Sequence, residues 1–367
     1  LNRYTVGYDE NSLPEGAPAG SSYKSYILGD GPDRLPKTPA WAEAITGIPA
    51  ARIEKLAREI AMAKPCFITQ GWGPQRTTNG ENQSRAIGML AVLTGNVGIA
   101  GGNTGARENA GYMLPMVDFP TLENPVKTTL SCFNWYQAIE DYTWMTAETA
   151  GIQGRDRLIA PIKFLWNYAG NCLTNQHGGI NQMHPILADE SKCETIVVVD
   201  TTLAPSARYA DYLLPSCLNM EEPDWTLNGD SNIAYVIFDN KAIPPYGESK
   251  GIYDICAGVA AKLGVEQEFT EGRTEYQWLE YLYAESRKNV PELPPTLEQA
   301  FQMGVYKKYF PENHIAYKDF RDDPEAHPLD TPSGKIEIYS PRLAELAATW
   351  QLAPGQEITP LPVWIDS

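Results

Sequence analysis

Two stretches of this chain, residues 66–76 and 162–171, each join an apolar run typical of a β-strand to a loop that carries polar side chains. The first loop ends in Gln75 and Arg76, and the second runs on to the amide and imidazole groups of residues 175–177. In an open parallel α/β sheet, ligands bind where such strands end. The two stretches therefore predict an α/β fold with parallel sheets covered by helices and, because there are two loops, a long polar ligand.

The composition limits the class of protein. A chain of 367 residues with 43% hydrophobic residues is long enough for two or three globular domains. The 46 acidic residues outnumber the 29 basic ones, which gives a net charge of -17. That charge argues against nucleic acid or an anionic membrane surface as the main partner.

The cysteines and histidines form no recognisable metal motif. The six cysteines are widely spaced without CxxC, and the four histidines include no HExxH. We expect buried free thiols, although spacing alone leaves disulfides open. No apolar run reaches the ~18 residues of a membrane span, and no export signal is present. The chain starts at Leu1, and we expect it to be the central part of a longer polypeptide.

The first third of the chain predicts one α/β unit. A helix from about residue 50, with Ile53, Leu56, Ala57 and Ile60 on one stripe, should cover a sheet. A strand over 66–70, a loop and a helix from about residue 81 follow. The Gly-rich residues 95–111 predict either a mobile linker or a loop laid against a ligand.

A second α/β unit follows, with strands over 162–167, 195–200 and 212–215 and a helix around 180–190. The all-apolar strand 195–200 is typical of a central parallel strand buried on both faces, and it places Asp200 at its carboxyl end. Residues 250–264 predict a further helix. Residues 268–330 predict helical decoration, and the alternation over 334–339 predicts a strand.

Each candidate ligand group has a structural alternative. Gln75 and Arg76 present planar donors to an anionic or heteroaromatic ligand, although a GxG turn alone is common. Asp200 can accept two hydrogen bonds from a ribose, guanine or pterin edge, or can cap a helix. Asp211 can form a surface ion pair with Arg208.

The loop of the second unit is dense in amide and imidazole groups, which favours ligand contact over simple turn formation. These groups belong to Asn171, Asn175, Gln176 and His177. Glu221, Glu222 and Asp224 predict an acidic loop rather than a catalytic one. The sequence contains no Ser-His-Asp arrangement, no P-loop and no full GxGxxG, which argues against hydrolysis, phosphoryl transfer and an ordinary nicotinamide site.

As a set, these motifs resemble the molybdopterin oxidoreductases of the dimethyl sulfoxide reductase family, especially the catalytic subunits of bacterial dimethyl sulfoxide reductases and their selenate-reductase-like relatives. The resemblance runs over almost the whole chain. The matching stretches are residues 37–42, 45–50, 71–76, 93–98, 166–171, 200–215 and 331–340.

The resemblance implies a fold and a cofactor. Family members hold molybdenum between two molybdopterin guanine dinucleotides, each bound by a Rossmann-like lobe. The lobes would correspond to residues 1–105 and 106–340, with 341–367 as a linker towards a further domain. The first lobe would bind through Gly71, Trp72, Gly73, Gln75 and Arg76, with Arg107 approaching the metal side. The second would bind through Asn171, Asn175, Gln176, His177, Asp200, Thr201, Arg208 and Asp211, with Asp200 or Asp211 contacting a guanine edge.

The resemblance also implies an activity: reduction of an S-oxide, N-oxide or related oxyanion in anaerobic respiration. It implies an iron-sulfur electron-transfer subunit, a membrane anchor subunit and a site at the periplasmic face of the inner membrane. The 4Fe-4S cysteines and the metal-ligating residue of the family have no counterpart in this chain. At 204–207, only Ser206 keeps a hydroxyl of the usual Thr-x-Thr-Ala run. Formate dehydrogenase, nitrate reductase, an inactive cofactor-binding module and a nicotinamide-dependent dehydrogenase remain alternatives.

Overall fold

The computed structural model describes residues 1–106, 113–176, 179–227 and 234–366. The chain forms two compact units, one of Leu1–Gly111 with Phe310–Ser367 and the other of Tyr112–Tyr309. The division into lobes at 1–105, 106–340 and 341–367 concerns cofactor binding and stays a prediction. The compact units have different boundaries from these predicted lobes, because the segment from residue 310 onwards belongs to the first unit.

The helices and strands alternate irregularly along the chain. The helices of the described residues are α1 (Tyr23–Leu28), α2 (Pro39–Thr46), α3 (Ala50–Met62), α4 (Gly80–Leu93), α5 (Trp135–Glu140), α6 (Ala147–Ala150), α7 (Cys172–Asn175), α8 (Ile180–Leu187), α9 (Ile252–Leu263), α10 (Glu266–Thr270), α11 (Glu275–Asn289), α12 (Leu297–Met303), α13 (Lys318–Asp322) and α14 (Pro341–Thr349). The strands are β1 (Thr5–Val6), β2 (Phe164–Tyr168), β3 (Thr195–Asp200), β4 (Tyr212–Pro215), β5 (Asp224–Leu227), β6 (Tyr235–Asp239), β7 (Val305–Lys307) and β8 (Ile336–Glu337).

The second unit contains the predicted parallel sheet, in the order β2-β3-β4. Its central strand β3 is buried on both faces, as predicted. Val198 packs in one core with Met183 of α8, and Val199 packs in the other with Ile255 of α9. Because side chains alternate along a strand, β3 separates two cores, and the helices on either face make this an α/β layer.

An antiparallel sheet, β5-β6-β7, completes the second unit. Val236 and Phe238 of β6 point into a core with Leu279 and Tyr283 of α11. Strand β7 lies inside the region for which the sequence predicts only helical decoration. A strand of three residues is too short to show a clear period, so the sequence pattern does not reveal it.

In the first unit, the predicted strand 66–70 is wrong for residues 66–69, which belong to no strand. Side-chain amides bind this stretch instead. The Cys66 N–H donates to Asn96 Oδ1 at 2.9 Å, and the Ile68 N–H donates to Asn103 Oδ1 at 3.0 Å. Asn103 Nδ2 donates in return to the Ile68 carbonyl. The bonds that a neighbouring strand would make are thus made by two asparagines.

The prediction that the residue-50 helix covers a sheet is also wrong. The helix forms as α3, but none of its residues is buried, and Leu56 is 56% exposed. The parallel sheet that the described part of this unit contains pairs only Thr5–Val6 with Ile336–Glu337. The hydrophobic core of this unit contains Ile338, Tyr339, and Met89 and Val92 of α4. In the described part of the unit, α3 therefore covers no sheet with its apolar stripe.

The Gly-rich connection, which the structure describes as far as residue 106, approaches α4 closely at Gly105. Gly105 has a φ of +75°, and a Cβ there would lie 2.8 Å from the Cα of Gly88 in α4. Only glycine permits both this backbone conformation and this close approach. This close approach to α4 fixes the backbone path at Gly105.

Candidate functional site

The carboxyl edge of the parallel sheet is organised by Asn171. This residue follows β2, and its Oδ1 accepts hydrogen bonds from the Ser206 N–H at 2.9 Å, the Ser206 hydroxyl at 2.7 Å and the Thr174 hydroxyl at 2.7 Å. Ser206 is fully buried in the short 3-10 helix Pro205–Tyr209 that follows β3. Asn171 therefore ties the loop after β2 to the turn after β3, and this use of its oxygen makes it a positioning group.

Asp200 ends β3 with one carboxylate oxygen uncommitted. Its Oδ1 accepts the Thr201 N–H at 2.7 Å and the Thr202 N–H at 3.4 Å, while Oδ2 accepts no hydrogen bond from the described residues. The next helical turn is preceded by Ala204, so Asp200 is not a helix cap. The bonds to Oδ1 stabilise the backbone turn after β3, and Oδ2 can accept an N–H from a ligand.

The structure does not bring Asp211 to the same edge. Asp211 Oδ2 accepts the Ile196 N–H at 2.7 Å, and the Asp211 N–H donates to the Ile196 carbonyl at 2.9 Å. It therefore lies at the amino end of β4, about 13 Å along the sheet from Asp200 at the strand rise per residue. No salt bridge joins Asp211 to Arg208 in the described part of the chain.

The remaining candidate groups of the second unit lie in the segments that follow β2 and β3. Asn175 ends α7, Gln176 follows it, and Arg208 lies in the turn that Asn171 holds. With Thr201, these side chains are exposed. His177 lies outside the described residues.

In the first unit, the loop after residue 70 is open to solvent. Arg76 ends the short 3-10 helix Pro74–Arg76, and its guanidinium lies 5.1 Å from the centroid of the Trp72 ring. A Cβ on Gly71 or Gly73 would meet nothing within 4 Å, so no close packing within the described chain requires these glycines. Arg107 lies outside the described residues.

A cavity of about 770 Å³ adjoins this loop. Gln75 lines it, together with Gln70 and Ser84, which the sequence reasoning missed. The signal for Gln70 is a polar residue that closes the apolar stretch before Gly71. Arg85, also missed, donates to the backbone carbonyls of Thr359, Ile338 and Pro360 at 2.7–3.1 Å and connects α4 to the C-terminal segment.

An acidic group surrounds Gly251, just before α9. A Cβ on Gly251 would lie 2.6 Å from Glu222 Oε2 and 3.4 Å from Glu275 Oε1. Burial, together with the charges of Glu222, Asp254 and Asp224, raises the pKa of Glu275 to about 7. The sequence predicts an acidic loop here but gives no sign that Glu275 joins it, because Glu275 lies in α11, more than 50 positions further along the chain.

The described residues contain no group of three or more His, Cys, Asp or Glu side chains that could hold a metal ion. The six cysteines are free thiols, as predicted, but only Cys193 and Cys217 are buried, so the prediction of burial is wrong for the other four. Among the helices described, none is long and apolar enough to cross a membrane.

Comparison with known proteins identifies relatives over the whole chain. It is 56% identical over 366 residues to dimethyl sulfoxide reductase DmsA of Escherichia coli (strain K12), covering 99% of this chain and 45% of that protein. It is 56% identical over 369 residues to DmsA of Haemophilus influenzae, covering 100% and 46%. Trimethylamine-N-oxide reductase of H. influenzae is 30% identical over 366 residues, covering 93% and 42%. The chain thus spans just under half the length of these curated relatives.

The family model described as molybdopterin oxidoreductase matches residues 39–262, which include the loop after residue 70, α4 and the whole parallel sheet. This match covers well over half of the chain. It agrees with the mixed α/β fold and with polar groups at the carboxyl edge of a parallel sheet. The chain belongs to the molybdopterin oxidoreductase family.

Proposed function

We propose that this chain is the central part of a molybdenum-dependent catalytic subunit that reduces S-oxides or N-oxides such as dimethyl sulfoxide. The observation that carries the proposal is the 56% identity to DmsA over 99% of the chain. The lower identity to a trimethylamine-N-oxide reductase supports the broader substrate class. Formate dehydrogenase and nitrate reductase, which share the family plan, receive no comparable support.

The cofactor we propose is molybdenum with two molybdopterin guanine dinucleotides. When bound, it supplies the oxygen-atom transfer and the two-electron chemistry. The groups of this chain fit such a ligand: carboxylate and amide oxygens can accept N–H bonds from its heteroaromatic ends, and guanidinium groups can pair with its pyrophosphate.

The proposed role of the second unit is to hold one dinucleotide at the carboxyl edge of its sheet. Asp200 Oδ2 accepts from an N–H of the heteroaromatic edge, while Thr201, Asn175, Gln176 and Arg208 supply further contacts. Asn171 keeps the two loops of this edge together through its bonds to Ser206. In the first unit, Gly71, Trp72, Gly73, Gln75 and Arg76 provide the corresponding contacts.

The proposed setting of the whole protein follows its relatives. We expect a 4Fe-4S cluster elsewhere in the full-length polypeptide, an iron-sulfur electron-transfer subunit and a membrane anchor subunit as partners, and a location at the periplasmic face of the inner membrane. The substrate is a small-molecule oxide, and the net charge of -17 argues against a nucleic-acid partner.

The test is cofactor content in the full-length protein. Molybdenum is measured by metal analysis and pterin by the fluorescence of its oxidised form, in the wild type and in Asp200→Ala. Asp189→Ala is the matched control, because Asp189 is also a turn carboxylate that accepts hydrogen bonds from Ser191.

We expect one molybdenum and about two pterins per wild-type chain, since a bis-dinucleotide cofactor contains one metal and two pterins. Asp200→Ala should reduce both, and Asp189→Ala should leave both unchanged. A wild-type protein with neither molybdenum nor pterin would refute the proposed function. Full cofactor content in Asp200→Ala would refute the role of this carboxylate alone.

A further inference from the structure

The short 3-10 helix Pro205–Tyr209 carries Arg208, one of the candidate ligand groups of the second unit. A 3-10 helix is held by i→i+3 hydrogen bonds, whose geometry is poorer than that of α-helical bonds. The bond that closes this one, from the Ala210 N–H to the Ala207 carbonyl, is 3.3 Å long. Contacts with neighbouring segments therefore contribute much of what fixes the backbone at Arg208.

Two side-chain hydrogen bonds join this turn to the segment that follows β2. Asn171 Oδ1 accepts from the N–H and hydroxyl of Ser206. At the other end of the turn, His184 Nδ1 of α8 is hydrogen-bonded to the Tyr209 hydroxyl, and the two ring centroids lie 5.7 Å apart with the rings tilted by 31°. The bonded residues, Ser206 and Tyr209, stand on either side of Arg208 in the chain.

Helix α8 gives His184 a rigid support. Met183 and Ile186, which flank His184 in sequence, are 0% and 2% exposed and pack in one core with Val198 of β3. The Tyr209 ring packs against the same core. Because α8 is fixed to the sheet, the bond from His184 holds the Tyr209 hydroxyl, and with it the end of the turn, at a defined place.

The direction of the Arg208 guanidinium depends on this turn. The Arg208 side chain is exposed and forms no salt bridge with the described residues. A guanidinium pairs best with a phosphate through two parallel N–H donors, which requires a defined orientation. Since no ionic partner in the described chain orients the guanidinium, the position of the backbone decides how well it can pair with a pyrophosphate.

We propose that His184 is a positioning residue for the proposed dinucleotide site: through the Tyr209 hydroxyl it fixes the turn from which Arg208 meets the pyrophosphate. The inference rests on the proposed function, because that function brings a pyrophosphate to this edge of the sheet. In this role His184 touches no ligand. It acts before binding, by removing backbone freedom that the turn would otherwise lose when the ligand binds.

The experiment measures the rate at which full-length protein loses pterin at a temperature below unfolding. Pterin that remains after desalting is measured by the fluorescence of its oxidised form. Tyr209→Phe removes the hydroxyl and keeps the ring, and we expect it to lose pterin about five- to tenfold faster, the effect of one hydrogen bond. Tyr212→Phe is the matched control, because Tyr212 is 62% exposed, and it should follow the wild type.

Histidine variants distinguish positioning from packing. His184→Ala removes the bond and should lose pterin as fast as Tyr209→Phe. His184→Asn should restore the wild-type rate, because the asparagine amide places a polar atom on Cγ, where the imidazole has Nδ1, and can donate or accept. A packing role would give the opposite result for His184→Asn, since the small polar amide does not replace the volume of the ring.

An Arg208→Gln background tests the route through Arg208. In that background Tyr209→Phe should change the rate by less than about twofold, because the bond acts only through the guanidinium. An equal effect in both backgrounds, no effect of Tyr209→Phe in the wild-type background, or His184→Asn as fast as His184→Ala would each overturn the inference and leave the proposed function standing. Wild-type protein without pterin would overturn both.

Discussion

Replacing Glu275 with Gln should stabilise the protein above neutral pH and leave it unchanged in acid. The pKa of this carboxyl is raised from 4.5 to about 7, first by burial and then by Glu222, Asp254 and Asp224. A raised carboxyl pKa means that the folded state binds the proton more tightly than the unfolded state. The associated stability is complete below pH 4.5 and is lost as the pH rises through 7.

The size of the effect follows from the shift. About 2.5 pKa units correspond to roughly 3.4 kcal/mol. Glu275 is partly exposed, so solvent screening reduces this figure to about 1–2 kcal/mol. Glu275 also begins α11, and the loss of a favourable charge at a helix N-terminus subtracts about 0.5 kcal/mol. We therefore expect a net gain of about 1 kcal/mol at pH 8.

The assay is urea unfolding followed by tryptophan fluorescence at several pH values between 4 and 8. Glu280→Gln is the control, because Glu280 lies on the exposed side of the same helix. The stability of the wild type should fall relative to Glu275→Gln as the pH rises, whereas Glu280→Gln should follow the wild type. Parallel curves for the wild type and Glu275→Gln across this range would refute the reasoning.

Two further predictions concern single side chains that connect separate segments. Arg85→Ala should lower the unfolding free energy by about 2–4 kcal/mol, because three backbone carbonyls lose their donor. Urea unfolding measures this loss, and Arg52→Ala is the control because Arg52 is exposed. Equal losses of stability in the two variants would contradict the prediction. Asn171→Ala should cost about 1–3 kcal/mol and increase amide hydrogen exchange at Ser206, whose N–H loses its acceptor. Unchanged exchange at Ser206 would count against that role of Asn171.

The sequence predicts the second unit better than the first. The run Thr195–Asp200 is apolar enough to be buried on both faces, and that property alone places it in the centre of a parallel sheet. In the first unit, residues 66–69 have the same apolar character but pair with side chains rather than with a strand. Composition and period do not reveal the partner of a segment, so the two cases look alike in sequence.

For the candidate site, too, the sequence reveals local properties but not which distant residues are neighbours. Asp200 could be found because its position at a strand end is a local property. Asp211 has the same chemistry eleven residues later, but its place at the opposite edge depends on the parallel register of β3 and β4. Gln70 and Glu275 become notable only through neighbours distant in sequence, Gly105 for the first and Glu222 for the second.

The contacts of residues 66–69 make the backbone of this segment depend on two side chains, Asn96 and Asn103. In a β-sheet the donors and acceptors belong to the backbone, so most substitutions leave the ladder intact. Here Asn103 both accepts from the Ile68 N–H and donates to the Ile68 carbonyl, because its side-chain amide carries an acceptor and a donor side by side. Even aspartate, which differs by a single group, would turn the donor into a second acceptor facing a carbonyl oxygen. Substitution of Asn96 or Asn103 should therefore disturb this segment more than substitution of its own apolar side chains, whose backbone groups make these bonds.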